Sequence, residues 1–231
     1  MVVYMKKFLL IILAAVLTIC SCVSFEVIYD NSQEVSSKKF LSKNTVVIDA
    51  GHGGKDAGTI GTDDNPEKDI NLLISKALYD YLMVCGINSV LIRDGDYEIY
   101  KENEERNRSD LYNRLDFINS VENSVLISIH QNHFENEAEW GTQIWYSANN
   151  RESKIIADCI LNNVKELLQP DNKRENKVSD NSYYLLYKAQ VPSVMVECGF
   201  MSNVAENTKL QNVDYQEDIA FAIMSGVCNI L

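Results

Sequence analysis

Three short apolar runs, Val46-Val47-Ile48, Ser124 to Ile129 and Ser193-Val194-Met195-Val196, each stop at a stretch bearing an imidazole or a carboxylate, and helical patterns separate them. Runs so short and so little interrupted read as buried strands, and buried strands alternating with amphipathic helices read as an α/β domain. Asn65-Pro66-Glu67 marks a helix start, with Asn65 as cap and Pro66 in the first helical position, and Ile70, Leu73, Ile74, Ala77, Leu78, Tyr81 and Leu82 follow at helical spacing. Gly86 ends that helix and Ile87 to Ile92 is the next strand, which completes a β-α-β unit. Leu111, Leu115, Ile118 and Val121 predict a second helix, ahead of the strand that delivers His130. Trp140 to Tyr146 reads as a strand, and Lys154 to Leu168 as a helix stopped by Pro170-Asp171-Asn172. Tyr183, Tyr184 and Tyr187 could line a groove or, as aromatic residues more commonly do, sit on a half-buried strand; Pro192 opens a last strand ending at Glu197, and Tyr215 to Ile230 forms the closing helix. The segment Glu98 to Asp110, rich in Glu, Asn and Arg, is expected to be solvated.

A chain of 231 residues, 46% hydrophobic, can build one substantial core, which residues 45–231 are expected to supply. Its net charge of −12 argues against nucleic acid as a partner and against electrostatic retention on an anionic wall polymer. Residues 1–23 have the character of a signal peptide or membrane anchor: Lys6 and Lys7 precede the apolar run Phe8 to Leu17, and smaller residues follow. Ile19-Cys20-Ser21-Cys22 carries a weak suggestion of a lipidated cysteine. Residues 24–44 turn polar without a period and read as a tether, so the chain is expected to be exported, extracytoplasmic or membrane-anchored. The remaining cysteines, Cys85, Cys159, Cys198 and Cys228, are widely spaced and are expected as buried thiols, not as a disulfide framework.

The stretch Val46 to Gly54 passes from apolar strand to a turn in which three glycines surround His52. Three readings fit it alone: a phosphate-binding turn, whose spacing is neither G-x-G-x-x-G nor a P-loop; a structural turn with an incidental histidine; and a metal-binding or catalytic histidine. Partners elsewhere bear on the choice. Strands finishing near His52, His130 and Glu197, with Glu67 in the first turn of a helix, can converge on one edge of one sheet. Two imidazoles and a carboxylate form the three-ligand set of an open catalytic zinc site, and a further carboxylate is then needed to move the proton of the attacking water. Glu197, on an otherwise apolar strand, fits that role, while Glu67 taken alone could equally be a carboxylate answering the helix dipole. Asp49 and Asn132 could orient the His52 loop and His130 as hydrogen-bonding neighbours. Arg93 could meet a substrate carboxylate or pair with Asp94 or Asp96.

Val47-Ile48-Asp49-Ala50-Gly51-His52-Gly53-Gly54, Glu67-Lys68-Asp69-Ile70-Asn71-Leu72, Ser128-Ile129-His130-Gln131-Asn132 and Val196-Glu197-Cys198-Gly199-Phe200-Met201-Ser202-Asn203 resemble, in order, the four signature segments of the zinc-dependent N-acetylmuramoyl-L-alanine amidases. The resemblance implies that His52, Glu67 and His130 bind Zn2+ and that Glu197 is the catalytic carboxylate. It implies a single mostly parallel, twisted sheet flanked by helices on both faces. It also implies hydrolysis, in peptidoglycan, of the amide joining the lactyl group of N-acetylmuramic acid to L-alanine. Ala50 stands where the family often has Pro, and His133, where a smaller residue is frequent, could contact substrate or fill the rim. A short leader and no wall-binding repeats are most similar to the sporulation and germination branch that acts on spore cortex, which would place the protein at the cell wall or in the forespore intermembrane space. The metal chemistry alone also fits a zinc peptidase or deacylase, and a peptidoglycan-binding protein silent until an activating partner completes it is the reading from another class.

Overall fold

The computed structural model describes residues 45–100 and 110–230; the expected leader, the tether and most of the Glu98 to Asp110 segment lie outside the described residues. Six strands, β1 (Thr45–Ala50), β2 (Ser89–Leu91), β3 (Ser124–Asn132), β4 (Gln143–Tyr146), β5 (Lys177–Val178) and β6 (Ser193–Phe200), form one sheet in the order β2-β1-β3-β6-β4-β5. Neighbours run parallel except β4, which is antiparallel to β6. The helices are α1 (Glu67–Val84), α2 (Asp110–Ser120), α3 (Glu152–Leu167), α4 (Tyr184–Lys188), α5 (Val204–Leu210) and α6 (Val213–Cys228). The expected α/β architecture, one mostly parallel sheet with helices on both faces, is the observed one.

Alternation along the strands gives each face its task. Val46 and Ile48 of β1, Val125 and Ile127 of β3, and Val194 and Val196 of β6 are buried on the face covered by α1, α3 and α6. Val47, Leu126 and Met195 point the other way, into a cluster with Ile118 of α2 and Leu185, Leu186 and Ala189 around α4. Two residues further along each strand, the same alternation brings Asp49, Ser128 and Glu197 to this second face, with His130 beyond Ser128. In the register of β3 and β6, His130 stands opposite Glu197. The apolar half of this face holds α2 and α4 in place, and the half toward the strands' carboxyl ends carries the polar groups.

Several local expectations are corrected. Pro66 precedes α1 as its cap, in extended conformation with no side-chain capping bond, because the chain enters from a bridge between Ile60 and Pro66. The strands do not stop at His130 and Glu197; β3 continues to Asn132 through a register shift and β6 to Phe200. Tyr184 and Tyr187 lie on the short helix α4, with Tyr183 as its cap residue, instead of on a strand. Leu111 is exposed, and α2 buries Asn113, Arg114 and Ile118. Of the four cysteines, Cys198 is buried, Cys85 is exposed, and Cys159 and Cys228 are half-buried. Among the described residues no helix is long and apolar enough to cross a membrane.

Helix α5 was not evident from sequence, and it supplies the carboxylate that closes the end of β6. Asn203 caps the helix by accepting from Glu206 N at 3.1 Å, and Glu206 Oε2 accepts from Phe200 N at 2.8 Å and Gly141 N at 3.0 Å. Burial of the carboxyl, opposed by those two amides, raises its pKa. A Glu206→Ala variant strands both amides away from water, and we expect it to lose about 2–4 kcal/mol of stability in urea denaturation.

Candidate metal centre

The loop carrying His52 is held from both sides by buried guanidiniums. Arg93, 1% exposed, donates to Ala50 O at 2.8 Å, to Gly51 O and Lys68 O at 2.9 Å, and to Gly95 O at 3.0 Å. Arg114 of α2 donates to Ala50 O at 2.8 Å and His52 O at 2.5 Å, and pairs with Asp49 Oδ1 at 2.6 Å and Asp110 Oδ2 at 2.6 Å. Ser128 Oγ donates to the other Asp49 oxygen at 2.7 Å. Burial opposes ionisation of Asp49, but Arg114 and Ser128 hold its carboxyl below the usual range. Three successive carbonyls of the turn are thereby fixed, and His52 is kept in the left-handed region at φ 62°, a conformation that costs a non-glycine residue on the order of 1 kcal/mol and persists only where its surroundings impose it.

Glu67, in the first turn of α1, enters between the two imidazoles. Its Oε2 lies 3.2 Å from His52 Nε2 and accepts from Thr59 N at 2.9 Å. Its Oε1 lies 3.0 Å from His130 Nδ1 and accepts from Gln131 N at 2.9 Å and Asn71 Nδ2 at 3.2 Å. Two glycines make this approach feasible. A Cβ on Gly51 would fall 2.2 Å from the His130 ring, and one on Gly58, at φ 68°, would come within 2.7 Å of both His52 and Glu67.

His52 Nδ1 donates to Asp56 Oδ2 at 2.8 Å, which leaves Nε2 facing the cluster. The ligand atoms of His52, Glu67 and His130 all lie within 4.8 Å of one another. Burial disfavours charge on His52, yet Glu67 and Asp56 outweigh it and push the ring up to about 9; His130 is raised by Glu67 against a similar penalty. Glu67, despite its own burial, is held well below the carboxylate range by the two rings. The cluster thus gathers the positive charge of two protons around one carboxylate, and a divalent cation fits the same three donors in their place.

Glu197 is the neighbouring group without a partner. Its Oε2 is buried and accepts no hydrogen bond, and burial, opposed by His130 and reinforced by Glu67, pushes the carboxyl up to about 7. A cleft of about 640 Å³ opens on this face, lined by His52, His130 and Arg114 together with Tyr100, Tyr183 and Tyr184. Tyr183 stacks on Trp145 with ring centroids 4.6 Å apart, and burial, with the charge of Glu197, raises its hydroxyl to about 12.

The structure therefore brings His52, Glu67, His130 and Glu197 to one sheet edge and sorts the remaining expected residues. Asp49 reaches the His52 loop through Arg114 instead of directly. Arg93 donates to backbone carbonyls and forms no ion pair with Asp94 or Asp96. The Asn132 side chain makes no hydrogen bond to His130; its carbonyl accepts from Met201 N at 2.8 Å. His133 is exposed and lines a separate depression with Thr62, Phe134 and Met201. Arg114, Asp56, Asn71 and Ser128 were not singled out from sequence. Asn71, at i+4 from Glu67 on α1, was the one with a readable signal, since that spacing shares a helix face.

The family model described as N-acetylmuramoyl-L-alanine amidase matches residues 46–229. The germination-specific N-acetylmuramoyl-L-alanine amidase of Bacillus subtilis is 29% identical over 191 residues, covering 81% of this chain and 79% of that protein. The amidase AmiA of Escherichia coli is 26% identical over 233 residues, covering 83% of this chain and 77% of its own. Among solved structures, the CwlD amidase from Clostridioides difficile in complex with the GerS lipoprotein has a TM-score of 0.76 at 36% identity, over 81% of this chain and 98% of that chain.

Two variants test the site's support. Arg114→Met leaves the buried Asp49 carboxylate without its cation and is expected to cost about 3–5 kcal/mol in chemical denaturation. Asp56→Asn leaves one acceptor oxygen where two had served His52 Nδ1 and Gly58 N and removes the negative charge behind the ring, and titration calorimetry with zinc should show affinity about 10–100-fold weaker while the fold persists.

Proposed function

The chain belongs to the N-acetylmuramoyl-L-alanine amidase family, and from that membership we propose that it is a zinc enzyme in which His52, Glu67 and His130 hold the metal and Glu197 moves the proton. The enzyme is a peptidoglycan hydrolase, and the bond it cleaves joins the lactyl group of N-acetylmuramic acid to L-alanine. Zinc, when bound, supplies a Lewis acid for the scissile carbonyl and acidifies a water. The observation that carries the assignment is the Glu197 carboxylate, whose buried Oε2 has no protein partner beside a three-donor cluster. A buried acceptor left open in this way is costly unless a ligand or the reaction uses it.

The residues then divide the work. Asp56 fixes the His52 ring so that Nε2 faces the metal position, while Gln131 N and Thr59 N orient the two oxygens of Glu67. Glu197 takes the proton of the attacking water and returns it to the departing amine of L-alanine. Arg93 and Arg114, bound to the backbone, keep the His52 loop from shifting as charge develops. The cleft lined by Tyr100, Tyr183 and Tyr184 receives the substrate.

Two relatives narrow the biological reading. The Bacillus subtilis protein is named for germination, and the Clostridioides difficile structure is of an amidase bound to a lipoprotein. These support a role on spore cortex for this chain, with a protein partner of its own. The protein acts outside the cytoplasm, and we assign residues 1–23 to export or anchoring, residues 24–44 to a tether and residues 45–231 to the catalytic domain.

Peptidoglycan incubated with the zinc-loaded protein should yield peptide-free muramic acid, identified by mass. Glu197→Gln should bind zinc normally and lower kcat by about 10²–10⁴-fold. Equal turnover by both would remove the role given to Glu197, and products cut within the stem peptide would favour a peptidase. Binding without cleavage by the wild type, reversed by an added partner, would favour the activator-dependent reading.

A further inference from the structure

The thiols of Cys85 and Cys228 converge on one thioether. Cys85 is the C-terminal cap residue of α1, Cys228 is the last residue of α6, and the two helices pack against each other. Met224, one turn before Cys228, is 6% exposed, and its Sδ lies 3.6 Å from Cys85 Sγ and 3.3 Å from Cys228 Sγ. Burial pushes the Cys228 thiol up to about 11, and Cys85, close enough to share a hydrogen bond with it, adds to the rise. Cys85 is exposed and is followed by Gly86, at φ 75°, where an added side chain would meet nothing within 4 Å. The Cys85 thiol is therefore accessible to solutes.

We propose that Cys85 and Cys228 are a modification site, a dithiol that is oxidised to an intramolecular disulfide fastening the end of α1 to the end of α6. Proteins that act outside the cytoplasm meet conditions in which disulfides form and persist. The oxidant is a disulfide, either of low molecular weight or on a thiol oxidoreductase. Cys85, the exposed partner, attacks one of its sulfurs as the thiolate and releases one thiol of the oxidant. Cys228 then loses its proton to solvent and attacks Cys85 Sγ, displacing the second. Two protein S–H bonds become one S–S bond, and the oxidant is reduced to two thiols. The link joins helices that cover the same face of the sheet, at the end of α1 away from Glu67. Its effect is on the stability of α1, whose first turn carries Glu67.

Each of the four cysteines within residues 45–231 falls on its own tryptic peptide, so the pairing can be read directly. The full chain is equilibrated with oxidised and reduced glutathione, alkylated, digested without reduction and analysed by mass. The peptides containing Cys85 and Cys228 should appear joined, while Cys159 and Cys198 remain unlinked. Reduction with dithiothreitol should lower the Tm by on the order of 10 °C, since the bond closes a long loop. Cys85→Ser and Cys228→Ser should each remove the linked species and the effect of reduction on Tm. Recovery of both cysteines alkylated or glutathionylated, or linkage of either to a different cysteine or a second chain, would overturn the proposal. The wild-type peptide map decides even if a serine variant folds poorly.

Discussion

A single buried carboxylate, that of Glu67, organises the edge of the sheet. Only 2% of the residue is exposed, so its charge has to be met by protein groups, and the structure supplies five: two backbone amides, the Asn71 side chain and two imidazoles. Each of these demands something of the chain. Thr59 N is available because the loop after β1 folds back onto the start of α1, where Glu67 N donates to Thr59 O at 2.9 Å. Gln131 N is available because the register between β3 and β6 shifts between His130 and Asn132. Close approach requires glycine at positions 51 and 58. The first turn of one helix and the ends of two strands are thus tied to the same two oxygen atoms.

The second constraint is that two arginines are spent on backbone. Arg93 and Arg114 bind carbonyls of the β1 turn from different elements, and the Asp49 and Ser128 pair completes a buried polar layer beneath the site. Such a layer is favourable only when nearly every donor and acceptor is satisfied. Here Gln131 Oε1 and Glu197 Oε2 are left unsatisfied beside the cluster, and Glu197 is the carboxylate to which the proton transfer is assigned in the proposed function. The apolar cluster under α2 and α4 and this polar layer share one face of the sheet. Packing at one end of the strands therefore sets the position of Arg114 at the other.

What was legible in the sequence follows from range. His52, His130 and Glu197 stand out because a polar residue ending an apolar run is conspicuous within a few positions, and Glu67 because Pro66 places it at a helix start. The strands β1, β3 and β6 and the helices α1, α3 and α6 also rest on local periodicity, whereas the order of the strands in the sheet does not. Arg114 was hidden because its partners at the β1 turn lie 62–65 residues away and the leucine spacing of α2 pointed Leu111 inward instead. Arg93 looked like a rim residue because Asp94 and Asp96 flank it, whereas the turn's carbonyls claim it. Helices α4 and α5 are too short to show a period, and the convergence of Cys85 and Cys228 depends on the packing of α1 on α6.

Crystals of the protein grown with zinc and measured on both sides of the zinc absorption edge test the central claim most directly. The account predicts one strong anomalous peak within bonding distance of His52, Glu67 and His130, with the carboxylate of Glu197 facing it across the cleft. A well-occupied zinc bound elsewhere, with His52 and His130 still paired only to Glu67, would contradict it.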